Sequence, residues 1–138
     1  MKWYFGVWKK YATFAGRARR KEYWTFCLLN LLFSFGIALV VGAISIFIYG
    51  GLLGNDGDEF QVGVVMGILA DAAYTLAGLI PSVAVAVRRM HDTGRSGWWL
   101  FLPVINFILL FGDSQPSGNG YGANPKLGEL GRSIAQVA

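Results

Sequence analysis

Apolar and polar positions along this chain fall into long blocks rather than a short alternation. Trp24 to Tyr49 is 26 residues without a charged side chain, and Val62 to Val87 is 26 residues broken only by Asp71. A helix needs about 20 apolar residues to cross a hydrocarbon core, so both blocks can span with room for tilt. Backbone groups find no water in lipid, and a helix satisfies them within the segment. A third block, Trp98 to Gly112, has 15 residues and contains Pro103 and Asn106. At ~1.5 Å per residue it reaches ~22 Å against a core of ~30 Å. Extended to 97–113, it either spans narrowly or re-enters on the side it left. Residues 2–14 carry a helical period instead. Trp3, Val7, Tyr11 and Phe14 share one face, with Tyr4 and Trp8 beside them, while Lys2, Gly6, Lys9, Lys10 and Thr13 take the other. Aromatics opposite lysines describe a helix lying in the headgroup plane. The competing reading is a short helix packed on the rest of the chain.

The expected fold is therefore an all-α membrane protein. An N-terminal interfacial helix at about 2–14 precedes about three transmembrane helices, at about 24–49, 62–87 and 97–113. These form one integral domain over 1–127, and 128–138 is expected to be a flexible tail. Composition supports this. Charged residues are 14% and hydrophobic residues 54% of 138, against about 25% charged in a soluble domain. That excludes disorder, a coiled coil and an ordinary soluble enzyme. The net charge of +4 does not point to nucleic acid, because the basic residues flank apolar runs. A single cysteine, Cys27, excludes an intramolecular disulfide, and no metal-ligand cluster surrounds it. No metal and no cofactor are expected.

Charge also sets the orientation. Seven basic residues precede the first block, none lies between the first two, and Arg88, Arg89 and Arg95 follow the second. The positive-inside rule places the N-terminus and the 88–97 loop in the cytoplasm, with Gly50 to Gln61 outside.

Three stretches stand out together: Phe14-Ala-Gly-Arg-Ala-Arg-Arg-Lys-Glu-Tyr-Trp24, Ala86-Val-Arg-Arg-Met-His-Asp-Thr-Gly-Arg-Ser-Gly-Trp-Trp99, and Asn119-Gly-Tyr-Gly-Ala-Asn-Pro125. Their order and spacing closely resemble the "domain of unknown function 805" family of small bacterial inner-membrane proteins, over roughly residues 3–127. The family motif carries onto Gly16, Arg17, Arg19, Arg20, Glu22, Tyr23 and Trp24. It carries further onto Arg88, Arg89, His91, Asp92, Gly94, Arg95, Ser96, Trp98 and Trp99, and onto Asn119, Tyr121, Gly122 and Pro125. Where the family usually has Gly-Thr, a Gly and a basic residue, this chain has Ser114-Gln115, Ser117 and Gly120. The resemblance implies a multi-pass protein of the bacterial inner (plasma) membrane and brings no established activity.

The basic clusters offer one chemistry. Arginine's planar fork suits bidentate binding of phosphate, and tryptophan prefers the headgroup level. Arg17, Arg19, Arg20, Arg88, Arg89, His91, Arg95, Trp98 and Trp99 are thus the candidate residues for binding an anionic phospholipid headgroup. The plainer reading is that they only fix topology and depth. Glu22 and Asp92 are expected to pair with arginines, Glu22 with Arg88 or Arg89. His91-Asp92 is not read as a catalytic dyad, since sequence neighbours point different ways and no nucleophile completes a site. Asp71 is the intramembrane polar residue. It shares a helix face with Gly63 and Gly67, so it should meet a helix rather than lipid. Its expected partners are Asn106, Tyr74, Thr75 or Asp71 of another copy, and that small-residue face is the expected contact of a homo-oligomer. The leading function is a non-enzymatic membrane protein that engages anionic lipid, or a membrane-protein partner of unknown identity. The alternative is a small oligomeric channel or transporter using Asp71.

Overall fold

The computed structural model describes residues 2–52 and 58–128. The expected outer loop therefore lies partly, and the expected flexible tail almost wholly, outside the described residues. Four α-helices follow in order: α1 (Lys2–Lys9), α2 (Arg20–Ile46), α3 (Glu59–Asp92) and α4 (Pro103–Phe111). A π-helical extension, Phe47–Leu52, prolongs α2, and a 3-10 turn, Gly97–Phe101, precedes α4. No strand occurs among the described residues.

Both long apolar blocks are helices, and two helices are long and apolar enough to cross a membrane, Arg20–Leu52 and Glu59–Asp92. The segment expected as a third span is broken. Its 3-10 turn ends at Leu102, whose extended backbone (φ −100°, ψ 94°) is the conformation a following proline favours. Pro103 then opens the nine-residue α4, which is ~14 Å long. The N-terminal helix is also shorter than expected. It stops at Lys9, and Tyr11 and Phe14 lie beyond it and exposed.

The chain divides into two compact units, Leu28–Leu79 and the remainder, Met1–Cys27 with Ile80–Ala138. In the first unit, α2 and α3 meet along small residues in an antiparallel register. A Cβ on Gly67 would fall 2.6 Å from the Ala38 carbonyl oxygen, and one on Gly63 would fall 2.8 Å from that of Gly42. No side chain fits there, so glycine is what permits this approach. Leu31, Leu32, Phe35 and Leu39 on α2, and Val65, Ile68, Leu69 and Leu76 on α3, point away, more than half exposed. In water such a pair would be unstable. In lipid, close backbone packing and interhelical hydrogen bonds take over from the hydrophobic effect. The Gly63/Gly67 face expected between copies is thus spent on α2 of the same chain.

The second unit has a small core of mixed character. Val7, Phe26, Val85 and Met90 are almost fully buried, and so are Arg88, Arg89 and Asp92. Tyr4 stacks on Phe26 at 5.5 Å, and Trp8 tilts against the same ring at 6.5 Å. Helix α1 therefore buries Tyr4 and Val7 most fully against its own chain.

A buried arginine–aspartate centre

Asp92 is the hub of the second unit. It lies at the C-terminal end of α3, where the helix dipole disfavours a negative charge by ~0.3–1 kcal/mol. Two guanidinium groups reverse that. Arg17 donates from Nε to Oδ1 at 2.9 Å, and Arg89 donates from Nη1 to Oδ2 at 2.7 Å. The Ser114 hydroxyl donates to Oδ2 as well. The side chains of Arg17, Arg89 and Asp92 are 1% exposed or less.

Arg17 uses all five of its donor hydrogens. Beyond Asp92 Oδ1 they reach the carbonyl oxygens of Ser117 (2.9 Å), Gly122 (3.3 Å), Gln115 (2.8 Å) and Asp92 itself (3.4 Å). One side chain from before α2 thereby holds the chain from 115 to 122 in place. The backbone adds to this, as the Gln115 amide donates to the Asp92 carbonyl at 3.0 Å. Arg89 binds the end of α4. It donates to the carbonyls of Leu109, Leu110 and Gly112, where the dipole of α4 is negative. A second pair lies alongside: Arg88 Nη1 donates to Glu22 Oε1 at 2.9 Å, and both side chains are at least nine-tenths buried. This pair is less fully satisfied, because Arg88 Nη2 is buried without an acceptor among the described residues.

The turn after α3 makes the geometry possible. Gly94 has φ +76°. The Arg95 amide reaches back to the Met90 carbonyl and the Gly94 amide to that of His91, which is the two-bond Schellman closure of a helix with glycine in the left-handed position. His91 stacks flat on Tyr121, 3.8 Å between centroids and 3° between planes. Its Nδ1 lies 3.2 Å from the Gly16 carbonyl oxygen. A carbonyl only accepts, so Nδ1 carries the proton. Asn119 donates to the His91 carbonyl and to Gln115 Oε1, both at 2.9 Å. All three sequence motifs thus converge here.

The sequence-derived candidates separate into two groups. Arg17, Arg88 and Arg89 are buried and donate to their own chain, as described. The others lie nearer the surface. Arg95 sits over the Trp99 ring at 5.2 Å, and Arg19 over Trp3 at 5.8 Å. Trp98 is 78% exposed. Arg20 pairs with Asp113 at 2.7 Å, and Lys126 with the same oxygen at 2.6 Å. These two donors hold the exposed Asp113 carboxyl well below the usual carboxylate range. Asp113 and Lys126 were not singled out by sequence, and Ser114 was noted only as a departure from the family pattern. Asp71, in the first unit, accepts from the Ser34 hydroxyl, a partner the sequence reading did not name, while Tyr74 donates to Asn30 at 2.9 Å. The available signal was the four-residue spacing of Asn30, Ser34, Ala38 and Gly42, which mirrors Gly63, Gly67 and Asp71. No group of three or more metal-ligating side chains occurs among the described residues.

This centre unites the three stretches that carried the family resemblance, and comparison with known proteins decides the matter. The family model "Protein of unknown function (DUF805)" matches residues 11–123. The chain belongs to this family. It is 40% identical to "Inner membrane protein YhaI" of Escherichia coli K12 over 135 residues, 93% of this chain and 98% of that protein. It is 38% identical to "Inner membrane protein YhaH" of the same organism over 136 residues, 92% and 98% of the two chains. A third relative, "Uncharacterized protein YiiR", is 32% identical over 102 residues, 73% of this chain and 56% of that protein. No solved structure matches. This DUF805 protein is accordingly a membrane protein, with relatives named for the inner membrane.

Proposed function

We propose that this DUF805 chain is a non-enzymatic, multi-pass inner-membrane protein that engages anionic phospholipid headgroups at its cytoplasmic face. The observation that carries this reading is the division of labour among its cations. Three buried arginines brace the motif-bearing unit, and Arg20, Arg95 and Lys126 stand at its surface. Near them the 97–111 segment presents Trp98, Phe101, Val104, Phe107 and Ile108, each more than 60% exposed. Cations beside a band of exposed aromatic and aliphatic residues suit a surface half in headgroups and half in hydrocarbon.

The third apolar segment fits this picture as a re-entrant hairpin. It begins at Gly97, against Val87, and ends at Gly112, bound to Arg89. Val87 and Arg89 are two residues apart on α3, so the segment leaves and returns at one level. The ~14 Å of α4 matches about half of a ~30 Å core. Two spans and a hairpin keep the N-terminus and the residues after α4 on the cytoplasmic side.

Native mass spectrometry of the detergent-released protein tests the reading. Selective retention of an anionic phospholipid is expected, and Arg95→Gln should weaken it about fivefold, the effect of one basic residue near an anionic surface. Equal retention of zwitterionic and anionic lipid would refute it.

A further inference from the structure

Arg19, Arg20, Lys21 and Lys126 line a cavity of about 310 Å³. Arg19 immediately precedes α2, Arg20 and Lys21 open it, and Lys126 follows α4 in the chain. We propose that this cavity is a binding site for a phosphate-bearing anion, and that Asp113 is its built-in competitor.

Two of the four lining cations, Arg20 and Lys126, meet on one carboxylate, that of Asp113. Asp113 Oδ1 collects donors from Arg20 Nη2 at 2.7 Å and Lys126 Nζ at 2.6 Å. The Ser114 amide donates to the same oxygen at 2.7 Å. An acidic side chain placed between two of the lining cations is the intramolecular stand-in for an external anion. It is also open to solvent. The Arg20, Lys126 and Asp113 side chains are 42%, 46% and 61% exposed, so water and ligands reach the pair. A phosphomonoester brings up to two charges and three acceptor oxygens, which a single carboxylate does not match. Arginine forks bind such groups bidentately. The N-terminal end of a 27-residue helix adds positive potential at the same place. The anion has two sources, a lipid headgroup or soluble phosphate; only the first rests on the lipid reading above.

Asp113→Asn supplies the sign test. In the full-length detergent-purified protein, with inorganic phosphate as probe, the substitution should raise affinity about fivefold by freeing two cations. Lys126→Gln should lower affinity about fivefold, and Lys126→Arg should restore it. Lys10→Gln, at an exposed lysine outside the cavity, should leave phosphate affinity unchanged. Phosphatidylcholine nanodiscs with and without phosphatidic acid form the second arm. A response to Asp113 and Lys126 in either arm supports the site and names its source. If neither substitution moves binding in either arm, or if Lys10→Gln weakens phosphate as much as Lys126→Gln, the proposal is overturned. Loss of phosphatidic acid on Arg95→Gln alone would overturn this site and leave the headgroup reading standing. Phosphate binding without lipid selectivity would do the reverse.

Discussion

Replacing Asp92 by Asn removes one charge and leaves two guanidinium groups buried without it. The structure sets the size of the effect. Arg17 and Arg89 each contact a different carboxylate oxygen, and all three side chains are essentially inaccessible. Breaking a buried ion pair by removing one partner costs about 3–5 kcal/mol. Two features move the expectation toward the lower end. The four carbonyl contacts of Arg17 and the three of Arg89 survive the substitution. Removing an anion from the C-terminus of α3 also recovers ~0.3–1 kcal/mol from the helix dipole. The net loss should be about 3 kcal/mol, or roughly a hundredfold in a local opening equilibrium. Global unfolding is the wrong readout, since a chain of two compact units need not unfold in one step. Amide hydrogen exchange in detergent is the right one. Protection of the Gln115 amide, which donates to the Asp92 carbonyl, should fall by about a hundredfold in Asp92→Asn. Asp113→Asn, at the exposed pair, should leave it unchanged. A loss below ~1 kcal/mol, as for an exposed pair, would falsify the claim that Asp92 organises this unit.

Three further outcomes are expected. Gly67→Ala should destabilise the α2–α3 pair by about 1–3 kcal/mol in a denaturing-detergent titration, because the new Cβ meets backbone at 2.6 Å rather than a movable side chain; an unchanged midpoint would show that the helices are not so close. Asp71→Asn should keep the Ser34 contact, since an amide oxygen still accepts from the hydroxyl. Cation or proton flux in proteoliposomes that the wild type carries and this variant loses would favour the channel reading instead. On acidification, the depressed Asp113 carboxyl should stay ionised through the normal carboxylate range. Its contribution to stability is present above the unfolded value of about 3.9 and is lost as pH falls through the lower folded one. A carbon-13 carboxyl titration with an ordinary midpoint near 4 would contradict the pairing.

Much of this protein was legible in its sequence because lipid imposes a simple rule. A 26-residue apolar block has few alternatives to a helix, and the two long blocks are helices. The motif order around Gly16–Trp24, Arg88–Trp99 and Asn119–Pro125 identified the family. Those readings depend on length, composition and spacing, which are properties of one dimension. The third block shows where they stop. Its 15 residues lie near the threshold for spanning, and the break at Leu102–Pro103 followed from proline only once the neighbouring 3-10 turn was seen.

Which charges are enclosed and which are open to solvent was decided by tertiary structure alone. Arg17, Arg19 and Arg20 look alike in sequence. Arg17 is enclosed by an aspartate 75 positions away and by carbonyls about 100 positions away, while Arg20 stays half open to solvent. Backbone carbonyls leave no mark on residue identity, so the acceptors that residues 115–122 offer a buried arginine could not be read from their side chains. The same holds for Asp71. Composition said that it needed a partner, but the choice of Ser34 came from an antiparallel register set by Gly42, Gly63 and Gly67. Hydrophobic blocks state that helices form; the contacts between them depend on which backbones approach closely enough to leave a polar side chain one partner.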